Sequence, residues 1–312
     1  MHFAASGVDV FPLVPVLVAF VVSLFTSMGG VSGAFLLLPF QMSVLGFTSP
    51  AVSATNQLFN VVAIPSGVAR YIREGRMVWP LTWVVVVGTL PGVLVGAVVR
   101  VRLLPDPTAF KVFAGCVLLW IGARLVRDLV RGGSGGAAAA EGRFRELVRR
   151  FGGDHAGAPP VVVREFSLRR VSYDFYGETF SFPTAGVFAL SLAVGIVGGI
   201  YGIGGGAIIA PFFVAVLGLP VYTVAGAALM GTFVTSVAGV AFYQGLAPFH
   251  PEMAVAPDWP LGLLFGLGGA AGMYCGARLQ KHLPAKAIKW MLAAVILFVA
   301  VGYLRGIAGL LG

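Results

Sequence analysis

Gly198 to Phe213 reads GGIYGIGGGAIIAPFF, and Met28 to Phe40 reads MGGVSGAFLLLPF. Each stretch sets a cluster of glycines between two apolar segments and follows it with a short apolar helix whose expected end is a proline, Pro39 or Pro211. The pattern predicts a helix broken inside a membrane. Backbone N–H groups at the start of the helix after such a break have no intrahelical acceptor and carry the positive end of the helix dipole. They attract anions. At membrane depth a break survives only where protein or a water-filled cavity satisfies it, which is how discontinuous transporter helices form substrate sites.

The rest of the composition agrees with a membrane setting. Hydrophobic residues make up 58% of the chain and charged residues 11%, against roughly 25% charged in a soluble domain. The formal charge of +9 sits mostly in a few loops and reads as an orientation signal and a source of lipid contact. No basic, aromatic-interleaved face points to nucleic acid. Cys116 and Cys275 lie in apolar segments without a CxxC partner, which supports neither a disulfide framework nor a zinc site. The start of the chain lacks a positively charged region and a cleavage site of small residues, so Val10 to Ser27 is taken as part of the bundle.

In order, Val10 to Ser27 can cross much of a bilayer, whereas the twelve residues Ala34 to Leu45 reach only about 18 Å as a helix. A hairpin that enters, turns at Gly29 to Gly33 and returns to its starting side accounts for both. Spans follow at Val52 to Arg70, Leu81 to Val99 and Phe110 to Val126. The second half repeats the plan: an arm Thr184 to Ile200, a tip Gly202 to Gly206, a return arm Ala207 to Leu217, then spans at Val224 to Gln244, Leu261 to Leu279 and Ala287 to Tyr303. Residues of the two halves match at a constant offset, as in Gly67, Val68, Ala69 and Tyr71 against Gly239, Val240, Ala241 and Tyr243. Trp79-Pro80-Leu81 likewise recurs as Trp259-Pro260-Leu261. This is an internal duplication.

The expected fold is therefore an all-α polytopic membrane protein of two repeated halves, residues 1–127 and 184–312. Between them, residues 128–183 form a small cytoplasmic insert. That insert is expected to hold an amphipathic surface helix at Glu141 to Phe151 and a β-hairpin within Val161 to Phe182, turning at Tyr176-Gly177-Glu178. One hairpin plus three crossings per half inverts the second half relative to the first. On that topology seventeen of the 21 Lys and Arg share the side of the insert, leaving Arg100, Arg102, Lys111 and Arg305 opposite. Positive residues face the cytoplasm, so the insert is placed inside, in a cell (plasma or inner) membrane. Eight plain spans would give a weaker split in the same direction.

Asp9, Glu74, Asp106, Glu252 and Asp258 are the acidic residues outside the insert, and all fall in a terminus or loop. A cation transporter ordinarily needs an intramembrane carboxylate or histidine. The interior is expected to be neutral and polar: Ser32 in the first tip; Thr55, Asn56, Gln57 and Asn60 after it; Tyr201 beside the second tip; Thr232, Thr235 and Ser236 beyond. Hydroxyls, amides and free N–H groups suit a weakly hydrated oxyanion. Gly88, Gly92, Gly96, Gly268, Gly269, Gly272 and Gly276 lie mid-span and read as close-packing positions. Asn56 reads equally as an interhelical hydrogen bond.

The paired motifs GGVSGAFLLLPF and GIGGGAIIAPFF, together with Gly75-Arg76-Met77-Val78-Trp79, resemble the sulfite exporter TauE/SafE family of anion permeases. The resemblance covers both membrane halves. It implies a multi-pass membrane protein that moves sulfite, organosulfonates or related sulfur-containing anions outward, and it carries Gly29, Gly30, Gly33, Gly202, Gly204, Gly205 and Gly206 over as substrate contacts. Ser32, Thr55, Asn56, Gln57, Tyr201 and Thr232 join them as candidates from the reading of the interior. The first tip departs from the second in having Ser32 where the second has Gly205. The expected partners are a small anion and membrane lipid, with a homodimer as an open alternative and no nucleic acid. No cofactor, metal or catalytic residue is expected. An anion channel and a membrane scaffold acting through the insert stand as rival readings.

Overall fold

The computed structural model describes residues 1–28, 31–131, 140–143, 146, 161–279, 286–287, 290–291, 293–294, 296–298 and 300–303. Two short strands, β1 (His2–Phe3) and β2 (Val8–Asp9), precede the first helical hairpin, α1 (Leu13–Met28) and α2 (Ala34–Ser43). Three long helices follow: α3 (Ala51–Arg73), α4 (Trp79–Arg102) and α5 (Pro107–Arg131). The insert contributes strands β3 (Val161–Phe166), β4 (Arg170–Phe175) and β5 (Glu178–Pro183). A second hairpin, α6 (Thr184–Tyr201) and α7 (Gly206–Val216), leads into α8 (Val221–Leu246) and α9 (Trp259–Leu279).

Among the described residues, five helical stretches are long and apolar enough to cross a membrane: Trp79–Arg102, Pro107–Arg127, Thr184–Tyr201, Val221–Phe249 and Trp259–Leu279. The shorter Leu13–Met28 and Ala34–Ser43 are apolar too. Helix α3 was expected to be an ordinary apolar span, and it differs. It has the length, but Ser53, Thr55, Asn56, Gln57 and Asn60 all lie buried along it. Packed against α2, α8 and α9, it needs no lipid-facing stripe.

The backbones approach closely where the sequence supplies glycine. A Cβ on Gly92 or Gly96 of α4 would fall 2.5 Å from the Leu192 carbonyl oxygen or 2.3 Å from that of Ile196 on α6. On α9, Gly268, Gly272 and Gly276 press in the same way on the Val16, Phe20 and Leu24 carbonyls of α1. Without a hydrophobic drive between helices in lipid, such close van der Waals contact is what holds them together.

One expectation is corrected. Neither short helix that follows a glycine cluster ends at its proline: Pro39 lies inside α2, which runs on to Ser43, and Pro211 lies within Gly206–Val216. Proline removes one N–H donor and frees the carbonyl four residues back, and α2 survives because that carbonyl finds another donor, described below. The expected β-hairpin is present in the insert as β4–β5, and β3 adds a third strand to give an antiparallel sheet in the order β3-β4-β5. Its β4–β5 turn is Tyr176-Gly177, both with positive φ (46° and 82°), the geometry that matches the twist of paired strands. Most of the expected surface helix at Glu141 to Phe151 lies outside the described residues.

Long-range hydrogen bonds define the two ends of the bundle. At one, the Ala51 N–H donates to the Ala254 carbonyl (2.9 Å), and the Ser6 N–H and hydroxyl donate to Asp258 Oδ2 (3.0 and 2.8 Å). At the other, buried Glu141 accepts the Val221 N–H (2.8 Å) and so caps the start of α8, while the Tyr173 and Thr223 hydroxyls pair at 2.9 Å.

Candidate functional site

The second glycine cluster is shaped by its backbone. Gly202 ends α6 with φ +81°, and its N–H and that of Ile203 both return to the Gly198 carbonyl (2.9 and 3.0 Å). This left-handed ending belongs to glycine. A Cβ at Gly202 would fall 2.4 Å from the Ser53 carbonyl oxygen, and Gly204 also has a positive φ (+62°). Helix α7 then begins at Gly206, whose N–H donates to Thr232 Oγ1 (2.9 Å). Neither short helix has a side-chain cap from its own N-cap residue, Gly33 or Gly205; at α7 the cap comes from Thr232 of α8 instead.

Breaking a helix frees carbonyls as well as N–H groups, and α3 takes them up. Ser53 Oγ donates to the Ile200 carbonyl (3.2 Å), Asn56 Nδ2 to that of Gly202 (3.2 Å) and Asn60 Nδ2 to that of Ile203 (3.3 Å). The spacing i, i+3, i+7 puts all three on one helix face. Asn56 Nδ2 also reaches the Ala34 carbonyl at the start of α2 (2.8 Å), and Asn56 Oδ1 accepts from Gln41 Nε2 (3.3 Å). One amide thus touches both hairpins. Across the same gap the Tyr201 hydroxyl donates to the Phe35 carbonyl (2.9 Å), the one that Pro39 leaves free.

With the carbonyls occupied, a set of buried polar atoms has no hydrogen-bond partner among the described residues: Ser23 Oγ, Thr26 Oγ1, Ser32 Oγ, Gln41 Oε1, Asn60 Oδ1 and both amide atoms of Gln57. Buried polar atoms are nearly always paired, so each unmatched one needs an explanation. Gln57 lies against α8 at Gly239, where no Cβ would fit beside its amide, and one turn along α3 Asn60 meets Ser236 (3.2 Å). Ser23 and Gly33 are neighbours at the first tip.

Of the expected residues, Asn56, Tyr201, Gly202 and Thr232 tie these two breaks, Ser32 lies in the first of them, and Gln57 lies against Gly239 of α8. Gly33, Gly204, Gly205 and Gly206 shape the breaks. Thr55 stands apart, accepting the Asp258 N–H (2.8 Å) at the end of the bundle. Gly29 and Gly30 lie outside the described residues. Gln41, Ser23 and Thr26 were missed; Gln41 is the one amide on the first return helix, and that oddity was the available signal.

The model of the sulfite exporter TauE/SafE family matches residues 15–303. This chain belongs to the TauE/SafE family. Neither the curated proteins nor the solved structures compared with it give a match. As a TauE/SafE member with five candidate spans, it is a multi-pass membrane protein of a transporter family. Among the described residues of this TauE/SafE chain, no cluster of His, Cys, Asp or Glu is placed to hold a metal ion.

The sheet of the insert shifts the acidity of two of its side chains. Arg164 and Thr179 hydrogen-bond Asp174 (2.6 and 2.8 Å) and hold its carboxyl below the ordinary range. Burial pushes the Tyr173 hydroxyl upward, opposed by its bond to Thr223.

Proposed function

We propose that this protein carries small sulfur-containing oxyanions, of the sulfite or organosulfonate class, across the membrane. The observation that carries the reading is the division of labour at the breaks. Side chains of α3 occupy the freed carbonyls, while neither Gly33 nor Gly205 caps the helix it starts and the Gln57 amide is left buried without a partner among the described residues. Backbone and amide donors share the charge of an oxyanion without the desolvation cost of a buried lysine.

The two halves are read as an inverted pair. In support, α1 lies along α9 and α6 along α4, so each hairpin arm packs on the second crossing of the opposite half. The N-terminus and the 254–258 segment share one end, and the insert and the start of α8 share the other. By the distribution of Lys and Arg, the insert end faces the cytoplasm. Rocking of the halves about the paired breaks would expose the site alternately.

Expelling an anion from a negative interior is downhill by about 2.3 kcal/mol per charge per 100 mV, so export would need no coupled ion. The test is sulfite and sulfonate efflux from proteoliposomes of the purified chain, with an imposed potential and no pH gradient. Saturable, potential-driven flux is the expected result. Flux that appears only after a proton or sodium gradient is added would overturn the uncoupled mechanism, and non-saturating flux would mark a channel.

A further inference from the structure

The interior of this bundle was expected to be neutral, and Arg100 corrects that. It was placed in a loop because the span was drawn to end at Val99. Helix α4 continues to Arg102, and the Arg100 side chain is fully buried. No carboxylate among the described residues lies within ion-pair distance of it, whereas Arg70 and Arg76 both pair with Glu74.

Arg100 is held in a defined pose. Nη1 donates to the Leu104 carbonyl just past the end of α4, and the guanidinium carbon stands 3.9 Å from the centroid of the Phe110 ring. Nε and Nη2 are buried and have no hydrogen-bond partner among the described residues. Those two atoms form one edge of the guanidinium fork, the edge whose parallel N–H groups match two oxygens of a carboxylate, sulfonate or phosphate.

Two independent links tie this cation to the breaks. Phe110, beneath the guanidinium, has its ring centroid 6.4 Å from that of Tyr201, the residue that bonds the start of α2. Ala97 and Val101, which flank Arg100 on α4, pack with Tyr243 of α8, and the Tyr243 hydroxyl donates to the Gly199 carbonyl (3.1 Å). Tyr243 lies one turn beyond Gly239, where Gln57 sits, and two turns beyond Ser236, where Asn60 sits. Along α8 that is about 10 Å from Ser236 toward the end of the bundle holding the N-terminus.

We propose that the free Nε–Nη2 edge of Arg100 is a second binding site for the oxyanion, between the paired breaks and the N-terminal face. It rests on the transport reading above, and it adds a fixed charge to a route otherwise lined by neutral donors. An anion leaving the breaks would be received by a guanidinium that already stacks and caps, so little ordering is needed to bind it. The structural alternative is that Arg100 merely caps α4 and covers Phe110. That role uses Nη1 and the flat face of the group and leaves the Nε–Nη2 edge without purpose.

The experiment uses the full chain in proteoliposomes of determined orientation, with methanesulfonate as competitor of sulfite flux added to one face at a time. In Arg100→Gln the half-inhibitory concentration should rise about tenfold or more from the N-terminal face, where a charge-assisted bidentate pair is lost, and stay nearly constant from the insert face. Arg100→Lys, which keeps the charge without the fork, should fall between parent and Arg100→Gln. Parent-like inhibition from both faces in a correctly inserted Arg100→Gln protein would overturn the second site and leave the transport reading standing. So would an equal loss from both faces in both variants, which is the signature of a structural cap. If the parent chain carries no anion flux, the transport reading fails, and this inference fails with it.

Discussion

The Tyr201 hydroxyl donates to the Phe35 carbonyl across 2.9 Å and 166 residues of sequence. Pro39, four residues after Phe35, has no N–H to offer that carbonyl, so a residue of the second hairpin repairs a defect in the first. The bond also fixes the distance between the two breaks. Tyr201→Phe keeps the ring against Phe110 but leaves a buried carbonyl unpaired, at a cost of about 1–3 kcal/mol. In a Pro39→Ala background the helix can supply its own donor, and the penalty of Tyr201→Phe should fall by at least about 0.5 kcal/mol. Thermal unfolding of the four proteins in detergent measures this cycle, and equal penalties in both backgrounds would refute the compensation.

Gln57 is wholly buried with neither amide atom bonded. An unmatched buried amide costs about 1–3 kcal/mol, so Gln57→Leu should leave the melting temperature unchanged or higher. Anion flux should nevertheless fall about tenfold, equivalent to about 1.4 kcal/mol of barrier. Flux measured beside melting separates the two effects, and undiminished flux would remove Gln57 from the site. Gly205→Val is a poor test of the same region, because its Cβ would fall 2.7 Å from Thr89 Cγ2, and packing and binding would be lost together.

Glycines in this bundle differ sharply in what surrounds them. At Gly96 a Cβ would lie 2.3 Å from the Ile196 carbonyl oxygen, and at Gly67 the nearest atom would be an ordinary contact at 3.8 Å. Gly96→Leu should force α4 from α6 and cost about 3 kcal/mol or more, at the severe end of overpacking. Gly67→Ala should be neutral or stabilising by up to about 1 kcal/mol, the helix-propensity gain. Melting temperatures of the two variants decide it, and a stable Gly96→Leu protein would contradict the close α4–α6 contact.

The sheet has a predictable acid limit. Because Arg164 and Thr179 depress the Asp174 pKa below its ordinary value, the native state binds fewer protons there than the unfolded chain. The contribution is present above the unfolded value, about 3.9 for aspartate, and is lost as pH falls through the depressed native value. The pair is exposed, so the effect is modest. Protection of the β3 and β4 amides, their exchange taken relative to the intrinsic rate at each pH, should fall more between pH 6 and pH 3 in the parent than in Asp174→Asn. An identical pH dependence in both would exclude the pair as its source.

Much of the architecture was legible because its signals are local. Glycine clusters mark breaks wherever they occur, and apolar length marks crossings. The glycines at 92, 96, 272 and 276 read as packing positions from their place in the middle of apolar spans. What was not legible depended on partners. Asn56 reads as a ligand contact or a helix tie, and only its neighbours Ala34, Gly202 and Gln41 show the tie. Thr55 is adjacent in sequence but turns to the Asp258 N–H at the end of the bundle. Arg100 looked like a loop charge because its burial depends on Phe110, across the α4–α5 turn, and on Tyr243 of the other half.

From its sequence alone, this protein was bound to be a membrane bundle with two glycine-broken hairpins, since hydropathy and backbone freedom are properties of a residue and its immediate neighbours. Which polar atoms are consumed in holding the breaks together, and which are left without a partner, was decided by tertiary structure. In a low-dielectric interior every donor seeks the nearest acceptor, and for Ser53, Asn56 and Asn60 those acceptors lie more than 140 residues away along the chain.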